Sequence, residues 1–216
     1  MNFVVLSSSR GTTFQAVLDA MKDGSLTAQC LGLVTDRPDR GCVEKAKKAD
    51  IPVKIVELKL GESREKYEKW LHEGIISLLP LAPNQASSSL TPAPTLIIAL
   101  GWLHILSPWF IRQWKDRIIN VHPALLPKYG GQGMYGDKVH EAVLKAEEKE
   151  TGITIHFMDE GIDTGPIIVQ KKCSVFKSDT IDKLKSRVQK LEREWIPKVL
   201  QMIERGGLNS QIYPSI

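Results

Sequence analysis

Residues 2–24 read NFVVLSSSRGTTFQAVLDAMKDG, and they combine a strand pattern, a polar turn and a helix pattern. NFVVL (2–6) is a short apolar run rich in β-branched residues, which predicts a buried strand. FQAVLDAMKDG (14–24) has helical spacing and ends in a glycine stop signal. The hydroxyl-rich turn SSSRGTT (7–13) joins them. The stretch therefore predicts the first β–α unit of an α/β protein.

The alternation of strand and helix continues along the chain. Further strands are predicted at 29–36, 52–58, 95–100, 117–122, 151–159 and 166–176, and further helices at 41–51, 63–79, 107–114, 137–149 and 180–207. Elements that alternate in this way predict βαβ units and a parallel sheet, with the last two strands paired around the loop EGIDTG. Pro197 is expected to kink or break the last helix. Residues 80–94 (PLAPNQASSSLTPAP) have no apolar period and predict a flexible insertion in a single domain spanning 1–216.

Composition excludes several classes of protein. The 216 residues are 42% hydrophobic and 25% charged, which is typical of a globular chain. A net charge of +4, without a dense run of Lys and Arg, does not indicate nucleic-acid binding. The three cysteines have no CxxC spacing, so we expect reduced thiols. No signal peptide and no apolar run of membrane-spanning length is visible, so we expect a cytoplasmic protein.

Polar residues that could carry chemistry occur at the end of one predicted strand. In NVHP (120–123), Asn120 and His122 are two apart and would project from the same face of a strand, which Pro123 would end. An amide beside an imidazole can hold an oxygen and move a proton, although a hydrogen-bonded pair in a turn is the alternative. Asp163, between two glycines in EGIDTG, can be a turn residue or an acid–base partner for His122.

The turn after the first strand is a candidate anion site. A turn that enters a helix presents free backbone N–H groups, Gly11 allows close approach, and Thr12 and Thr13 can add hydroxyl donors. Capping without a ligand is the alternative, since the turn has neither a GxGxxG fingerprint nor a Walker lysine. His140 and His156 are expected to be structural, with His156 nearer the site. None of the histidines has metal-ligand spacing.

Several motifs, taken in order, resemble one enzyme family. NVHPALLPKYGG, HEAVL, TGITIHFMDEGIDTGPIIVQ and RVQKLE closely resemble the phosphoribosylglycinamide formyltransferases, the folate-dependent GAR transformylases of purine biosynthesis, and VVLSSSRGTTFQA and GWLHILSP fit more loosely. The resemblance covers nearly the whole chain. It implies a Rossmann-like formyltransferase fold with a mostly parallel central sheet and helices on both faces. It also implies 10-formyltetrahydrofolate as co-substrate, small-molecule partners, no metal, and a monomer or homodimer.

The same resemblance implies a role for each matching residue. Asn120 would donate to the formyl oxygen, His122 would carry protons and stabilise the oxyanion, and Asp163 would keep His122 charged. The residues expected to bind the ribonucleotide are Arg10, Gly11, Thr12, Thr13, Arg64, Gln189 and Glu192, with Arg10 and Arg64 near the phosphate. The residues expected to line the pteridine pocket are Trp102, His104, Leu106, Asp159 and Asp163.

Other functions remain open from the sequence. A related formyltransferase could act on a sugar-nucleotide amine, or the chain could hydrolyse formyltetrahydrofolate. The hydrolase and the enzyme acting on methionyl-tRNA each carry an extra domain, for which we expect no room because the pattern runs from residue 1 to about 205. A binding protein that keeps this fold without catalysis is a third alternative, and the presence of Asn120, His122 and Asp163 argues against it.

Overall fold

The protein is described here by a computed structural model that covers residues 1–80 and 95–206. Nearly all of the predicted insertion 80–94 lies outside these residues. The elements in chain order are β1 (Asn2–Leu6), α1 (Thr12–Lys22), β2 (Gln29–Thr35), α2 (Gly41–Lys48), β3 (Val53–Ile55), α3 (Arg64–Ile76), β4 (Thr95–Ala99), α4 (Pro108–Gln113), β5 (Ile118–His122), α5 (Asp137–Lys145), β6 (Glu150–Phe157), β7 (Ile167–Ser174) and α6 (Ile181–Glu204).

The strands form a single seven-stranded sheet in the order β3-β2-β1-β4-β5-β6-β7. Strands β1 to β5 are mutually parallel, whereas β6 runs antiparallel to β5 and β7 antiparallel to β6. The mostly parallel sheet and the pairing of the last two strands are therefore confirmed.

Helices cover both faces of the sheet because the strands are apolar on both sides. Along β1, Phe3 and Val5 pack into one core together with apolar residues of α1, α2, α5 and α6. Val4 and Leu6 point the other way, into a second core that includes α3 and α4. This arrangement confirms the predicted fold class.

Strand β3 is shorter than predicted, because its only neighbour in the sheet ends. β3 pairs with β2 from Val53 to Ile55, and Ile55 lies opposite Thr35, the last residue of β2. One further bond, from the Val56 N–H to the Thr35 carbonyl, closes the ladder. Within the described part of the chain, residues 57 and 58 have no strand left to pair with.

The last helix is not broken at Pro197, which corrects that part of the prediction. α6 runs from Ile181 to Glu204 with Pro197 inside it. The proline removes one backbone bond, which costs about 3 kcal/mol in a helix interior. Burial of Pro197 and of its neighbours Ile196 and Val199 offsets that cost.

The topology creates a crevice at the carboxyl ends of the central strands. From β1, the chain passes to β2 and β3 on one side, whereas β4 and β5 lie on the other side. In such sheets, ligands bind where the strand order reverses. The ends of the three central strands lie side by side, since Leu6 pairs with Ala99 and Ala99 with Asn120. The polar turns that follow these strands therefore meet in one place.

Candidate active site

A cleft of about 700 Å³ lies at these strand ends. Its walls come from the turn after β1, the loop 101–106 after β4, the end of β5 with the loop 131–136, and one face of α6. The predicted site residues that line it are Arg10, Thr12, Thr13, Trp102, His104, Leu106, Asn120, His122, Asp163, Gln189 and Glu192. Residues separated by up to 182 positions thus share one cavity.

The side chain of Asn120 is oriented by a histidine on the neighbouring strand. β5 and β6 pair with Asn120 opposite His156. The His156 Nδ1–H donates to the Phe157 carbonyl at 2.9 Å, so its Nε2 can accept from the Asn120 amide at 3.2 Å. An amide nitrogen carries two hydrogens. One N–H of Asn120 is therefore held by His156 and the other remains for a ligand.

His122 is buried, with only 4% of its surface exposed, and it contacts two fixed acceptors. Its Nε2–H donates to the Tyr129 carbonyl at 2.7 Å, which fixes the ring. Its Nδ1 lies 3.4 Å from Asp163 Oδ2. Asp163 is itself held by the Gly131 N–H at 3.0 Å. The imidazole thus has one nitrogen committed to the protein and the other beside a carboxylate.

The electrostatics favour the neutral form of His122. Burial lowers the pKa of His122 below its ordinary value, against the opposite effects of Asp163 and the Tyr129 carbonyl. Burial acts to raise the pKa of Asp163, but the adjacent His156 and His122 rings and the bond from the Gly131 N–H leave it lowered. Asp163 acts to raise the pKa of His122, and burial has the larger, opposite effect. That Asp163 keeps His122 charged stays a prediction. Asp163 is an anion next to the imidazole of His122. When His122 takes a proton, Asp163 can stabilise the resulting imidazolium.

The turn after β1 forms an open helix N-terminus. Gly11 is the N-cap of α1 with φ of +75°, and no side chain caps the helix. A Cβ on Gly11 would lie 2.8 Å from the Cα of Cys42, so the close approach needs glycine. The first-turn N–H groups of the helix therefore face the cleft side without a side-chain cap, as an anion site requires.

The first helix and the last helix are joined at the cleft by a side-chain bond. The Thr13 hydroxyl donates to Glu192 Oε2 at 2.8 Å. Burial raises the pKa of Glu192, and the bond from Thr13 opposes that rise. Gln189 lies one turn earlier on α6 and lines the same wall. An amide and a carboxyl group therefore stand next to the anion site.

The loop 101–106 after β4 is held from below by an ion-pair network. His104 Nε2 lies 3.3 Å from Asp36 Oδ2. Arg40 binds the same carboxylate through two bonds of 2.9 and 2.7 Å. The Trp102 and His104 rings are 5.2 Å apart, centroid to centroid. His104 thus serves to anchor the loop as well as to line the cleft.

Three predicted residues do not line the cleft. Gly11 lies beneath it, packed on α2. The Arg64 guanidinium donates to the Ile105 carbonyl and lies 3.4 Å from Glu68 Oε1. Arg64 therefore supports the 101–106 loop from behind and does not lie at the anion turn. Asp159 accepts from the Gly161 N–H and the Thr164 hydroxyl, and so shapes the 159–165 loop.

Sequence reasoning missed several residues that line the cleft, His140 and Lys185 among them. His140 was interpreted as structural, yet it lies in the wall between His122 and α6. Lys185 was not singled out, although it is four residues before Gln189 and so on the same helix face. That helical spacing was the signal that could have found Lys185.

The described residues contain neither a metal-binding cluster nor a membrane-spanning helix. In 1–80 and 95–206, no group of three or more His, Cys, Asp or Glu side chains could hold a metal ion. Among the same residues, no helix has the length and apolar character needed to cross a membrane.

Comparison with known proteins agrees with this geometry. The family described as "Formyl transferase" matches residues 1–200. Phosphoribosylglycinamide formyltransferase of Bacillus subtilis (strain 168) is 32% identical over 209 residues, which are 97% of this chain and 96% of that protein. The trifunctional purine biosynthetic protein adenosine-3 of Drosophila melanogaster is 35% identical over 94% of this chain. This chain spans only 14% of that longer protein.

Solved structures are similar over the whole fold. A phosphoribosylglycinamide formyltransferase from Bacillus halodurans superposes with a TM-score of 0.82 at 28% identity, covering 99% of this chain and 100% of that one. The enzyme from Coxiella burnetii gives a TM-score of 0.80 at 32% identity, covering 95% and 88%. The resemblance read from the motifs is therefore confirmed, and this chain belongs to the formyl transferase family.

Proposed function

We propose that this chain transfers the formyl group of 10-formyltetrahydrofolate to the amine of 5′-phosphoribosylglycinamide, a step of de novo purine biosynthesis. The observation that carries the proposal is the convergence of two features in one cleft. Asn120, His122 and Asp163 occupy one part of it, and the uncapped helix N-terminus with Thr13 and Glu192 occupies another. A formyl-transfer centre and a phosphoribosyl site are what this reaction needs.

The ribonucleotide would bind between the two helices. The first-turn N–H groups of α1 suit the 5′-phosphate, because a helix N-terminus favours an anion. Arg10, exposed on the same turn, adds a positive charge at the cleft wall. Gln189 and Glu192 suit the ribose hydroxyls, since a carboxyl group and an amide can each accept hydrogen bonds.

The formylfolate would bind along the 101–106 loop. Leu103 and Ile105 are 49% and 46% exposed at the cleft, which gives a flat ring system an apolar surface. The buried Nε1 of Trp102 has no partner in the described part of the chain, so a ring heteroatom of a ligand could satisfy it. Both features fit a pteridine group.

The chemistry follows from the positions of the three polar side chains. When the substrate amine attacks the formyl carbon, negative charge develops on the formyl oxygen, and the free N–H of Asn120 would stabilise it. One such donor is worth about 3–4 kcal/mol of the barrier. His122 Nδ1 would take the proton that the amine loses and return one to the leaving folate nitrogen. Asp163 would stabilise the imidazolium between these steps.

The test is a spectrophotometric assay of deformylation with purified protein, 10-formyltetrahydrofolate and the ribonucleotide. Turnover that requires the ribonucleotide is expected, and Asn120→Asp, which keeps the shape but loses the donor, should reduce kcat by roughly 10²–10³-fold. Equal turnover without the ribonucleotide would indicate hydrolysis and overturn the proposal. Full activity of the Asn120→Asp protein would overturn the role given to the amide.

A further inference from the structure

His140 has one buried ring nitrogen, Nδ1, that no described residue satisfies. The side chain is 3% exposed on α5, and Nδ1 has no hydrogen-bond partner among residues 1–80 and 95–206. A buried polar group without a partner costs about 1–3 kcal/mol. Such a group calls for an explanation, and a bound ligand that completes its hydrogen bond is one.

The position of His140 indicates which ligand could form a hydrogen bond with Nδ1. The residue lines the cleft, and its electrostatic neighbours are Asp137 on its own helix, Lys185 on α6 and the catalytic His122 on β5. Lys185 Nζ is held 2.6 Å from Asp137 Oδ1, at the junction of the two helices. His140 therefore stands between the proton-transfer centre and the helix face that carries Gln189.

Its charge state limits the chemistry further. The pKa of His140 falls to about 4, because burial disfavours the imidazolium and Lys185 adds positive charge, while Asp137 opposes the fall. The ring is neutral near pH 7. A neutral imidazole offers one donor and one acceptor.

We propose that His140 binds the carboxamide that links the ribose to the glycyl amine of the substrate. This inference rests on the proposed function, in which the ribose lies at Gln189 and Glu192 and the amine at His122. The groups between those two points are one amide N–H, one carbonyl and one methylene, of which the first two are polar. The unpaired Nδ1 of a neutral imidazole can accept from that N–H or donate to that carbonyl, according to its tautomer. His140 thus sets the distance between sugar and reacting amine, and selects an amide-linked acceptor.

The experiment compares steady-state kinetics of the wild type, His140→Phe and His140→Gln. The phenylalanine removes both nitrogens, and we expect KM for the ribonucleotide to rise about tenfold, the effect of one lost hydrogen bond. KM for the formylfolate should stay within about twofold, a fold-change that corresponds to well under one hydrogen bond. His140→Gln, which keeps a donor and an acceptor, should recover part of the loss. His72→Phe is the matched control, since His72 bonds Trp114 and does not line the cleft.

Two further readouts separate binding from a structural role. Inhibition by ribose 5-phosphate, which lacks the carboxamide, should be unchanged in His140→Phe. The melting temperature of that protein should equal or exceed that of the wild type, because an unpaired buried nitrogen is removed. An unchanged KM for the ribonucleotide in His140→Phe would overturn the inference while leaving the proposed function intact. Equal losses of affinity for ribose 5-phosphate and for the ribonucleotide in that variant would do the same. Absence of ribonucleotide-dependent turnover in the wild type would overturn both.

Discussion

Replacing Asp163 by asparagine removes one negative charge beside His122 and changes little else. Asp163 has φ of +58°, a left-handed conformation that asparagine tolerates as well as aspartate does. The asparagine oxygen can still accept from the Gly131 N–H. The variant therefore tests the charge rather than the shape of the loop.

The expected magnitude follows from the geometry. At 3.4 Å, the attraction between Asp163 Oδ2 and a protonated His122 Nδ1 is about 5 kcal/mol for an effective dielectric constant near 20. Solvent relaxation reduces this attraction. A carboxylate at such a distance typically raises the pKa of a neighbouring cation by about 1–3, which corresponds to about 1.4–4 kcal/mol of stabilisation of the charged form. Because the pKa of His122 is already lowered by burial, loss of the carboxylate lowers it further. We expect kcat to fall by roughly 10²-fold.

The assay is a pH profile of kcat together with an NMR titration of His122. The optimum of Asp163→Asn should move to lower pH, since more acid is needed to form the same fraction of imidazolium. Glu160→Gln is the control, because Glu160 pairs with Arg112 outside the cleft on the same loop. A wild-type kcat in Asp163→Asn, or an unmoved pKa of His122, would refute the reasoning.

Three further outcomes are expected. Arg10→Ala should raise KM for the ribonucleotide about tenfold and weaken its salt dependence, measured by kinetics at two ionic strengths, because one exposed cation near the phosphate is lost. Gly11→Ala should lower the free energy of unfolding by about 2 kcal/mol, measured in urea, since a left-handed φ and the contact with Cys42 both disfavour a Cβ. Asp179 has its pKa lowered to about 2 by its bonds from Arg187, so the stability it contributes is present above about pH 4 and lost as pH falls towards 2. Asp179→Asn should remove that acid dependence in a melting-temperature series and cost about 2 kcal/mol at neutral pH.

The sequence predicted the parts of the site that depend on local periodicity. Asn120 and His122 share a face because a strand has a period of two. The turn at Gly11 followed from the conformational freedom of glycine. These features need no knowledge of distant residues. Gln189 and Glu192 were assigned through the family resemblance, not through periodicity.

The parts that depend on packing could not be predicted in this way. The partner of Arg64 is the carbonyl of Ile105, 41 positions along the chain, and nothing in the helix pattern of α3 indicates it. The lowered pKa of His122 follows from burial created by several elements together. In the sequence, His140 is indistinguishable from an ordinary helical residue. Its place in the cleft follows only from the packing of α6 and β5 beside it.

The most direct test of the account follows the transferred carbon itself. Folate carrying a ¹³C-labelled formyl group would be mixed with the ribonucleotide and protein, and the label followed by NMR. With the wild type, we expect the label to appear as a formamide on the substrate amine. With His122→Ala, we expect the same product to form far more slowly. Label released as formate, or equal transfer by the His122→Ala protein, would contradict it.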